Sequence, residues 1–477
     1  MNVRISRMGL VFVAAFLVLI LNLTYIQMVS APVIVAHPRN TRGIAQELLI
    51  ERGQMLTRDG HVIAAEKKSG QFFQRFYPDG KLYGHITGFY SLRYGRSGLE
   101  RTYNEELLGK KEIASFDDYL QSVAEGQTKG HTLILTIDSR LQETAARALG
   151  DQKGAVVALD PRTGEVLAMV SNPSYDPNPI ANLNSEAAAV AWEKVSNDPS
   201  QPLVSRATRE WYPPGSTFKI VTAAAALETG LAEPTTIFNC TGALDLPLTS
   251  HVIKDFGGKK HGEIALDEAL IASCNNTFGE IGLKLGPDTL ADFAEKFGMN
   301  QDVPFELGAT RSLMPLDQDL PSTALSAIGQ KDVRVTALQM AMISGAIANE
   351  GEIMEPFVVK AIQGHKGNTI KELGGKRWKQ AVTPETAAVM KEMLKKVVDE
   401  GTGKAAKIPG IEVAGKTGTA QVPDGAPHAW FTCFAPAGDP KVAIAVVIEN
   451  GGSMGNEATG GRIAAPVARE MLVEMLE

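Results

Sequence analysis

Cysteine is scarce in this sequence of 477 residues, and basic tracts and a large charge excess are missing; each of these features excludes a class of protein. Only three cysteines occur, none in a C-x-x-C pair, which excludes zinc ribbons and disulfide-rich scaffolds. The formal net charge is only −7, and no Lys/Arg tract is present, so a nucleic-acid-binding protein is disfavoured. The 46 glycines and 25 prolines are too few for a disordered chain, and 44% hydrophobic residues suffice for a folded core.

One long apolar run stands near the start of the chain. Residues 8–36 contain no Asp, Glu, Lys or Arg, whereas Arg4 and Arg7 precede them. A helix needs about 20 mostly apolar residues to cross a bilayer, and cationic residues before the span favour a cytoplasmic N-terminus. We therefore predict a cytoplasmic tail over residues 1–8, a transmembrane signal anchor over residues 9–30, and an extracytoplasmic remainder.

A cleaved signal peptide is the alternative for this run, because Val29-Ser30-Ala31 resembles a cleavage site. The apolar stretch is longer than the roughly 7–15 residues of a signal core, which argues against cleavage. Pro32 would also follow the cleaved bond directly, where its fixed φ and missing N–H hinder binding of an extended substrate. A buried helix of a soluble domain is disfavoured by the terminal position and the charge asymmetry.

The remaining chain changes character near residue 150. Residues 31–150 mix short apolar runs with turn signals, which predicts a small, irregular, strand-rich region. Beyond it, residues 156–160 and 165–171 are typical of a β-hairpin. Helical patterns cover residues 223–229, 266–274, 338–349 and 386–400, strand patterns return at 412–414, 430–435 and 442–448, and a final helix is predicted at 462–476. This order predicts an α+β domain over residues 151–477, an antiparallel sheet flanked by helices.

A serine and a lysine one helical turn apart follow two prolines in the segment PPGSTFK, residues 213–219. The prolines block a helix upstream, so Ser216 should begin a helix that is apolar nearly all round and therefore buried. The positive end of the helix dipole favours a serine nucleophile, and Lys219, neutral if burial lowers its pKa, could reach the hydroxyl as general base. The alternative is an N-cap serine with a snorkelling lysine, because S-x-x-K arises by chance about twice in such a chain.

The segment Ser273-Cys274-Asn275 is the only S-x-N in the sequence and follows a helical pattern. It would place a hydroxyl for proton relay beside a carboxamide that can hold a substrate carbonyl. Taken alone it is a weak signal, and the alternative interpretation is a helix-end cap.

The segment KTGT, residues 416–419, follows a strand pattern. A strand edge has free N–H and C=O groups, which can pair with an extended peptide substrate. Lys416, Thr417 and Thr419 offer donors for a carboxylate, and Gly418 has no side chain to obstruct the approach. This motif arises by chance only rarely in a chain of this length, at roughly a few hundredths of an occurrence.

The order S-x-x-K, S-x-N, K-T-G resembles the active-site set of penicillin-binding proteins and serine β-lactamases. The longer segments YPPGSTFK at 212–219 and RGQMLTRDG at 52–60 are similar to the nucleophile segment and an N-terminal box of class B penicillin-binding proteins. Residues 95–100 and 154–169 are similar as well, so the resemblance covers nearly the whole chain. Within that family the chain resembles most the actinobacterial penicillin-binding protein A group.

The resemblance implies a monofunctional peptidoglycan D,D-transpeptidase with a serine β-lactamase-like fold over residues 151–477, in which an all-α lobe accompanies the antiparallel sheet. It also implies that residues 31–150 form a non-catalytic dimerisation or pedestal module. Ser216 would attack the carbonyl of the penultimate D-Ala of a stem peptide, and Lys219 would take its proton. Ser273 and Lys416 would pass a proton to the departing D-Ala.

The resemblance also assigns substrate-binding roles. Asn275 would hold the amide of the donor peptide, and the strand of Thr417, Gly418 and Thr419 would bind it and its terminal carboxylate, together with Lys416. Backbone N–H groups of Ser216 and Thr419 would form the oxyanion hole. No metal and no cofactor is implied.

The resemblance further implies partners and a location. β-Lactams would acylate Ser216, and a multi-span membrane glycan polymerase of the shape, elongation and division type would be the partner. The location would be the bacterial cell membrane, with a single span. A D,D-carboxypeptidase or β-lactamase, and a β-lactam sensor or scaffold without turnover, are the alternatives. The sequence leaves open whether Cys240 and Cys274 form a disulfide.

Overall fold

The computed structural model describes residues 2–30, 47–109, 129–422 and 425–476. Its first helix, Asn2–Tyr25, continues as a π-helical turn, Ile26–Ser30. The span Ile5–Ser30 has a mean hydropathy of 2.4 with none of it buried, so it is long and apolar enough to cross a membrane. This agrees with the predicted anchor helix, and the orientation stays a prediction. Ala31 and Pro32, on which the cleavage alternative depends, lie outside the described residues.

The rest of the described chain contains both helices and strands. The strands are β1 (Met55–Leu56), β2 (Val62–Ser69), β3 (Phe72–Phe76), β4 (Tyr90–Ser91), β5 (Gly95–Arg96), β6 (Thr132–Leu135), β7 (Gly154–Leu159), β8 (Val166–Asn172), β9 (Ile237–Cys240), β10 (Ala243–Asp245), β11 (Val252–Lys254), β12 (Gly262–Ala265), β13 (Glu352–Met354), β14 (Val359–Gln363), β15 (Thr369–Glu372), β16 (Arg377–Gln380), β17 (Ala414–Ala420), β18 (His428–Ala435) and β19 (Val442–Ile448). The α-helices are α1 (Asn2–Tyr25), α2 (Gly84–Thr87), α3 (Gly98–Thr102), α4 (Asn104–Leu107), α5 (Ser139–Leu149), α6 (Ser185–Ser196), α7 (Lys219–Glu228), α8 (Leu266–Ala272), α9 (Asn275–Lys296), α10 (Leu320–Ala327), α11 (Ala337–Ala348), α12 (Pro384–Asp399) and α13 (Ala465–Leu476).

A five-stranded antiparallel sheet, in the order β17-β18-β19-β7-β8, forms the centre of the C-terminal part. Successive side chains of a strand point to opposite faces, and here both faces are buried. In β19, Ala443 and Val447 face a core shared with α7 and α11, whereas Ile444 and Val446 face a second core shared with α5 and α13. Two covered faces explain why this strand is apolar at every position.

The sequence predicted most of this sheet correctly. The hairpin of β7 and β8 is present, with Gly154 paired to Asn172, and β18 and β19 lie where strand patterns were found. The strand predicted at 412–414 is wrong in extent, because β17 begins at Ala414 and runs through the whole KTGT segment. Each of its residues pairs with β18, and this pairing overrides the low strand propensity of the glycine and lysine. The α+β class is confirmed.

A second sheet of six strands, in the order β15-β14-β6-β1-β2-β3, joins two distant parts of the chain. Strand β14 pairs antiparallel with β6, for example through Ile362 and Leu133, and β6 pairs parallel with β1. Strands from beyond residue 350 therefore complete the sheet of the N-terminal module. The predicted division at residue 150 stays a prediction, and residues 31–46 and 110–128 of that module lie outside the described residues.

A buried cluster of charged side chains connects two N-terminal segments, residues 52–60 and 95–100, that resemble sequence motifs of the family. Arg52 and Arg75 each donate from Nε to the carboxylate of Glu100, over 2.7 and 2.5 Å. All three side chains are at most 3% exposed. A buried carboxylate needs such compensation, and the two guanidinium groups hold the pKa of Glu100 below its usual value against the opposing effect of burial.

Candidate active site

Ser216 lies in a 3₁₀ turn, Gly215–Phe218, that leads into the buried helix α7. The α-helix thus begins at Lys219 rather than at Ser216, which corrects the predicted start by one turn. Two prolines and a left-handed Gly215 (φ 55°) shape this tighter entry. A Cβ at Gly215 would stand 2.8 Å from the carbonyl oxygen of Thr419, so glycine lets the serine segment approach β17.

The segment before the serine is fixed by buried polar contacts that the sequence did not reveal. Trp430 of β18 donates from its indole Nε1 to the carbonyl of Pro213 over 3.0 Å. Tyr212 donates its hydroxyl to Glu449 Oε1 over 2.8 Å, and Arg206 donates from Nε to the same oxygen over 2.9 Å. These groups hold the nucleophile segment against the end of the central sheet.

The S-x-N segment is a sharp junction between two helices. Ser273 ends α8 in a left-handed conformation, with φ 59° and ψ 41°. Cys274 then caps α9, and its Sγ accepts from the N–H of Thr277 over 3.3 Å. A left-handed serine is uncommon, and such strain is typical of functional sites.

Lys219 is wholly buried and bonds to the S-x-N segment. Its Nζ donates to the carbonyl of Ser273 and to Asn275 Oδ1, both over 2.8 Å, and lies 3.4 Å from Ser273 Oγ. Burial lowers the pKa of Lys219 to about 7. No hydrogen bond engages the Ser216 hydroxyl among the described residues, so the predicted approach of Lys219 to Ser216 stays a prediction.

Lys416 approaches Ser273 from β17. Its Nζ donates to Ser273 Oγ over 2.9 Å and to the carbonyl of Thr417 over 3.1 Å. Burial, with a smaller contribution from the charge of Lys219, holds the pKa of Lys416 well below its ordinary value. Ser273 Oγ therefore lies between two amines that both give up a proton readily.

Asn275 has both ends of its carboxamide engaged. Its Oδ1 accepts from Lys219, and its Nδ2 donates to the carbonyl of Lys254 over 2.9 Å. Its backbone N–H donates to the carboxylate of Asp255, which is 5% exposed. The carboxamide is therefore held in place before any substrate arrives.

Among the described residues, β17 pairs with β18 alone and is therefore an edge strand. Its unpaired side faces the cleft. The hydroxyls of Thr417 and Thr402 share a hydrogen bond of 2.6 Å. A Cβ at Gly418 would stand 2.8 Å from the carbonyl oxygen of Pro214 and 3.0 Å from Thr217 Cγ2. The glycine is therefore needed for close approach of the nucleophile segment, a reason that the sequence did not provide.

The predicted site residues meet around one cleft of about 1010 Å³. Its lining includes six of them, with Lys219 and Lys416 bonded just behind: Ser216, Ser273, Asn275, Thr417, Gly418 and Thr419. Five cations also line it: Lys254, Lys259, Lys331, Lys404 and Arg462. Asp255 is the one carboxylate among the described lining residues, which makes the cleft electropositive in a chain of net negative charge. Such a cleft attracts an anionic substrate.

Sequence reasoning missed Asp255, Thr402, Trp430 and Glu449, which support the motif residues. None lies in a recognisable short motif, and each meets its partner only through the fold. Arg206 and Tyr212 lie close to Ser216 in the sequence. A buried arginine needs an acidic partner, but no pattern in the sequence identifies Glu449 as that partner.

Family models match two parts of the chain. The penicillin binding protein transpeptidase domain matches residues 154–473, and the penicillin binding protein A dimerisation domain matches residues 52–133. The first match contains every predicted site residue.

Several known proteins are similar over the whole chain. The peptidoglycan D,D-transpeptidases PbpA of Mycolicibacterium smegmatis and Mycobacterium tuberculosis are each 38% identical, over 100% of this chain and 99% of those proteins. The solved structure of penicillin-binding protein A from M. tuberculosis, as a ceftriaxone acyl-enzyme complex, matches with a TM-score of 0.86 at 36% identity, covering 91% of this chain and 100% of that one.

Proposed function

Because the chain belongs to the penicillin-binding protein transpeptidase family, we propose that it is a peptidoglycan D,D-transpeptidase that forms an acyl-enzyme on Ser216. The observation that carries this assignment is the arrangement of two buried amines on Ser273 Oγ, directly behind the cleft that Ser216 lines. The names of the two mycobacterial relatives, and the acyl-enzyme described for the solved structure, support the same activity.

In the proposed acylation step, Ser216 Oγ attacks the carbonyl carbon of the penultimate D-Ala of a donor stem peptide. Lys219, with its pKa lowered to about 7, is neutral in a large fraction of molecules and takes the proton of the hydroxyl. The carbon–nitrogen bond then breaks. The proton reaches the departing amine of D-Ala through Ser273 and Lys416, which are in hydrogen-bond contact.

Binding of the donor uses the edge of β17. Its free groups pair with the extended peptide, and Lys416, Thr417 and Thr419 bind the terminal carboxylate, in a cleft whose cations favour an anion. Asn275 holds the donor amide. The N–H groups of Ser216 and Thr419 stabilise the oxyanion, an effect worth about 3–4 kcal/mol per donor in measured systems.

In the second step, the amine of a neighbouring stem peptide attacks the acyl-enzyme and a cross-link forms. A β-lactam acylates Ser216 in the same way but leaves no room for the amine. The chain crosses the bacterial membrane once through α1, with its N-terminus in the cytoplasm and the cleft outside. The glycan strands come from a multi-span membrane polymerase that contacts the anchor and the N-terminal module.

Labelling with a fluorescent penicillin tests the nucleophile. The full chain in detergent should become labelled, Ser216→Ala should lose labelling, and Ser196→Ala, an exposed serine on α6, should behave as the wild type. Labelling that survives Ser216→Ala would refute the assignment.

Product analysis separates the transpeptidase from the alternatives. With a stem-peptide donor and an added amino acid as acceptor, mass spectrometry should detect the new amide together with released D-Ala. Hydrolysed donor alone would indicate a carboxypeptidase, and rapid release of opened penicillin would indicate a β-lactamase. Labelling without any product would indicate a sensor or scaffold.

A further inference from the structure

Three lysines that line the cleft have no acidic partner. Lys254, Lys259 and Lys331 are exposed, and none of them has a carboxylate within 4 Å among the described residues. Asp255, the one carboxylate of the described lining, accepts the backbone N–H groups of Asn275 and Asn276 instead. This part of the cleft therefore carries a local excess of positive charge, although the whole chain is acidic.

The fold holds Lys254 beside the asparagine of the S-x-N segment. Lys254 ends β11, in which Ile253 is buried whereas Lys254, on the opposite face, is exposed and lines the cleft. The carbonyl of Lys254 accepts from Asn275 Nδ2 over 2.9 Å, and the next residue, Asp255, accepts the backbone N–H of Asn275. A substrate group that Asn275 holds is therefore next to the segment that carries this cation.

Lys331 lies on a segment that packs against the turn of the nucleophile. Gly329, two residues before it, accepts the backbone N–H of Gly215 over 2.9 Å. Lys331 itself has a left-handed backbone, with φ 62°, and its carbonyl accepts from Arg334 Nη1 over 2.8 Å. A left-handed residue with a side chain is uncommon, and such strain clusters at functional sites. The backbone that carries this second cation is therefore fixed close to Ser216.

The terminal carboxylate of the donor leaves these three lysines without a role. In the proposed function that carboxylate binds Lys416, Thr417 and Thr419, all on β17, whereas the three lysines lie on other segments. Asn275 holds the amide that precedes the penultimate D-Ala, so the residue before that amide lies on the side of Lys254. The proposed binding mode therefore places the side chain of the third residue from the donor's C-terminus near the three lysines.

We propose that Lys254, Lys259 and Lys331 bind a second carboxylate of the donor, on the side chain of the residue that precedes the two terminal D-Ala residues. The protein thereby selects donors in which this carboxyl group is free over donors in which it is amidated. The proposal rests on the proposed function and adds the chemistry of the donor to it. A carboxylate and a carboxamide have nearly the same shape, so charge distinguishes them. Each exposed cation contributes little alone, and three around one anion should give a preference of about tenfold.

Two synthetic donors test this preference. Both have the sequence X-D-Ala-D-Ala, in which X is a diaminopimelyl residue whose side-chain carboxyl group is free in one donor and amidated in the other. Each donor competes with fluorescent penicillin for the full chain in a neutral detergent. We expect the free acid to halve the labelling rate at a concentration about tenfold lower than the amide does. Equal concentrations, or no effect of either donor, would overturn the proposal.

Substitution of two lysines tests which groups recognise the carboxylate. In the double variant Lys254→Gln, Lys331→Gln, we expect the two donors to compete within about twofold of each other, because only the free acid binds more weakly. Competition by the amide shows within the same protein that the cleft is folded. The matched control Lys371→Gln, Lys376→Gln removes two exposed lysines outside the cleft lining and should keep the tenfold preference. A preference that persists in the first variant would overturn the assignment of these lysines.

Salt and direct binding complete the test. Because exposed charges are screened by salt, the preference of the wild type should shrink between about 50 mM and about 500 mM NaCl, and a preference independent of salt would contradict recognition by charge. Fluorescence anisotropy of the two donors, each carrying a dye at its N-terminus, measures binding without acylation. Loss of penicillin labelling in every protein would therefore count against the proposed function, whereas equal binding of the two dye-labelled donors would count against recognition of the second carboxylate.

Discussion

At the scale of single residues, the proton balance of the cleft is set by burial rather than by acidic partners. Lys219 and Lys416 both contact Ser273 Oγ, and burial lowers both pKa values. Two ammonium groups this close repel each other, so the pair shares one proton more easily than it holds two. The serine between them is therefore placed to move that proton.

The rate of acylation should rise with pH through about 7. Below the lowered pKa, Lys219 is protonated and cannot accept the proton of Ser216, whereas above it the amine is neutral and can. The second-order rate constant for fluorescent penicillin between pH 5 and 9 measures this, with circular dichroism at each pH to confirm folding. A flat profile, or one that falls as pH rises, would contradict the role of Lys219.

Substitutions of Ser273 should separate its backbone from its hydroxyl. At φ 59°, glycine is unstrained and alanine is not, so we expect Ser273→Gly to be more stable than Ser273→Ala by about 1 kcal/mol. Both variants lack the hydroxyl between the amines and should lose nearly all acylation. Denaturant unfolding and penicillin labelling measure the two effects. Equal free energies of unfolding for Ser273→Gly and Ser273→Ala would show that residue 273 does not keep its left-handed conformation in these variants.

At the scale of elements, β17 and the nucleophile segment depend on a close approach at Gly418. A methyl group there would stand 2.8 Å from the carbonyl oxygen of Pro214, which is too close, so the segment carrying Ser216 must move. We expect Gly418→Ala to reduce the acylation rate by about tenfold or more, because a misplacement of a reacting group by about 1 Å can cost roughly a hundredfold in rate.

Gly438→Ala is the matched control for this substitution. Gly438 lies between β18 and β19, its φ is not in the left-handed region, and a Cβ there meets nothing within 4 Å. Its acylation rate and melting temperature should equal those of the wild type. A Gly418→Ala protein with the rate of this control would show that the segment tolerates the methyl group.

Features that depend on patterns local in the sequence could be predicted, whereas contacts between segments that are distant in the sequence could not. The hairpin of β7 and β8 and the strand β19 follow from apolar periodicity, and the motif residues follow from spacing. The extent of β17 depends on pairing with β18, which its own residues do not signal. Lys219 forms hydrogen bonds with Ser273 and Asn275 rather than with Ser216, and these bonds depend on how two helices meet. Asp255 and Thr402 lie in loops that carry no recognisable motif, and they reach the cleft only through the fold.

At the scale of the whole molecule, the shared six-stranded sheet joins the N-terminal module to the catalytic part. Strand β14 is paired with β6, and its Val359 and Ile362 are at most 4% exposed. Helix α5 packs in the second core of the central sheet, although it precedes the predicted boundary at residue 150. Residues on both sides of the predicted boundary therefore pack in one core, and the boundary itself stays a prediction.

A fragment of residues 136–477 should associate or aggregate, because removing β6 leaves an apolar strand edge at β14 unpaired. The fragment 47–477, which lacks only α1 and the residues up to 46, should stay monodisperse and be labelled by penicillin. Size-exclusion chromatography with light scattering distinguishes the two. A monodisperse 136–477 fragment with the melting temperature of 47–477 would contradict the proposed dependence.

The same shared sheet limits how this protein can exchange parts with its relatives. A recombination event or an engineered chimera that joins one relative's first 150 residues to another's remainder would bring together strands β6 and β14 from different parents. Their side chains interlock within one core, so a mismatch on either side leaves gaps or clashes. The two segments must therefore be inherited together, and successful hybrids should carry β14 and β15 from the same parent as β1–β6.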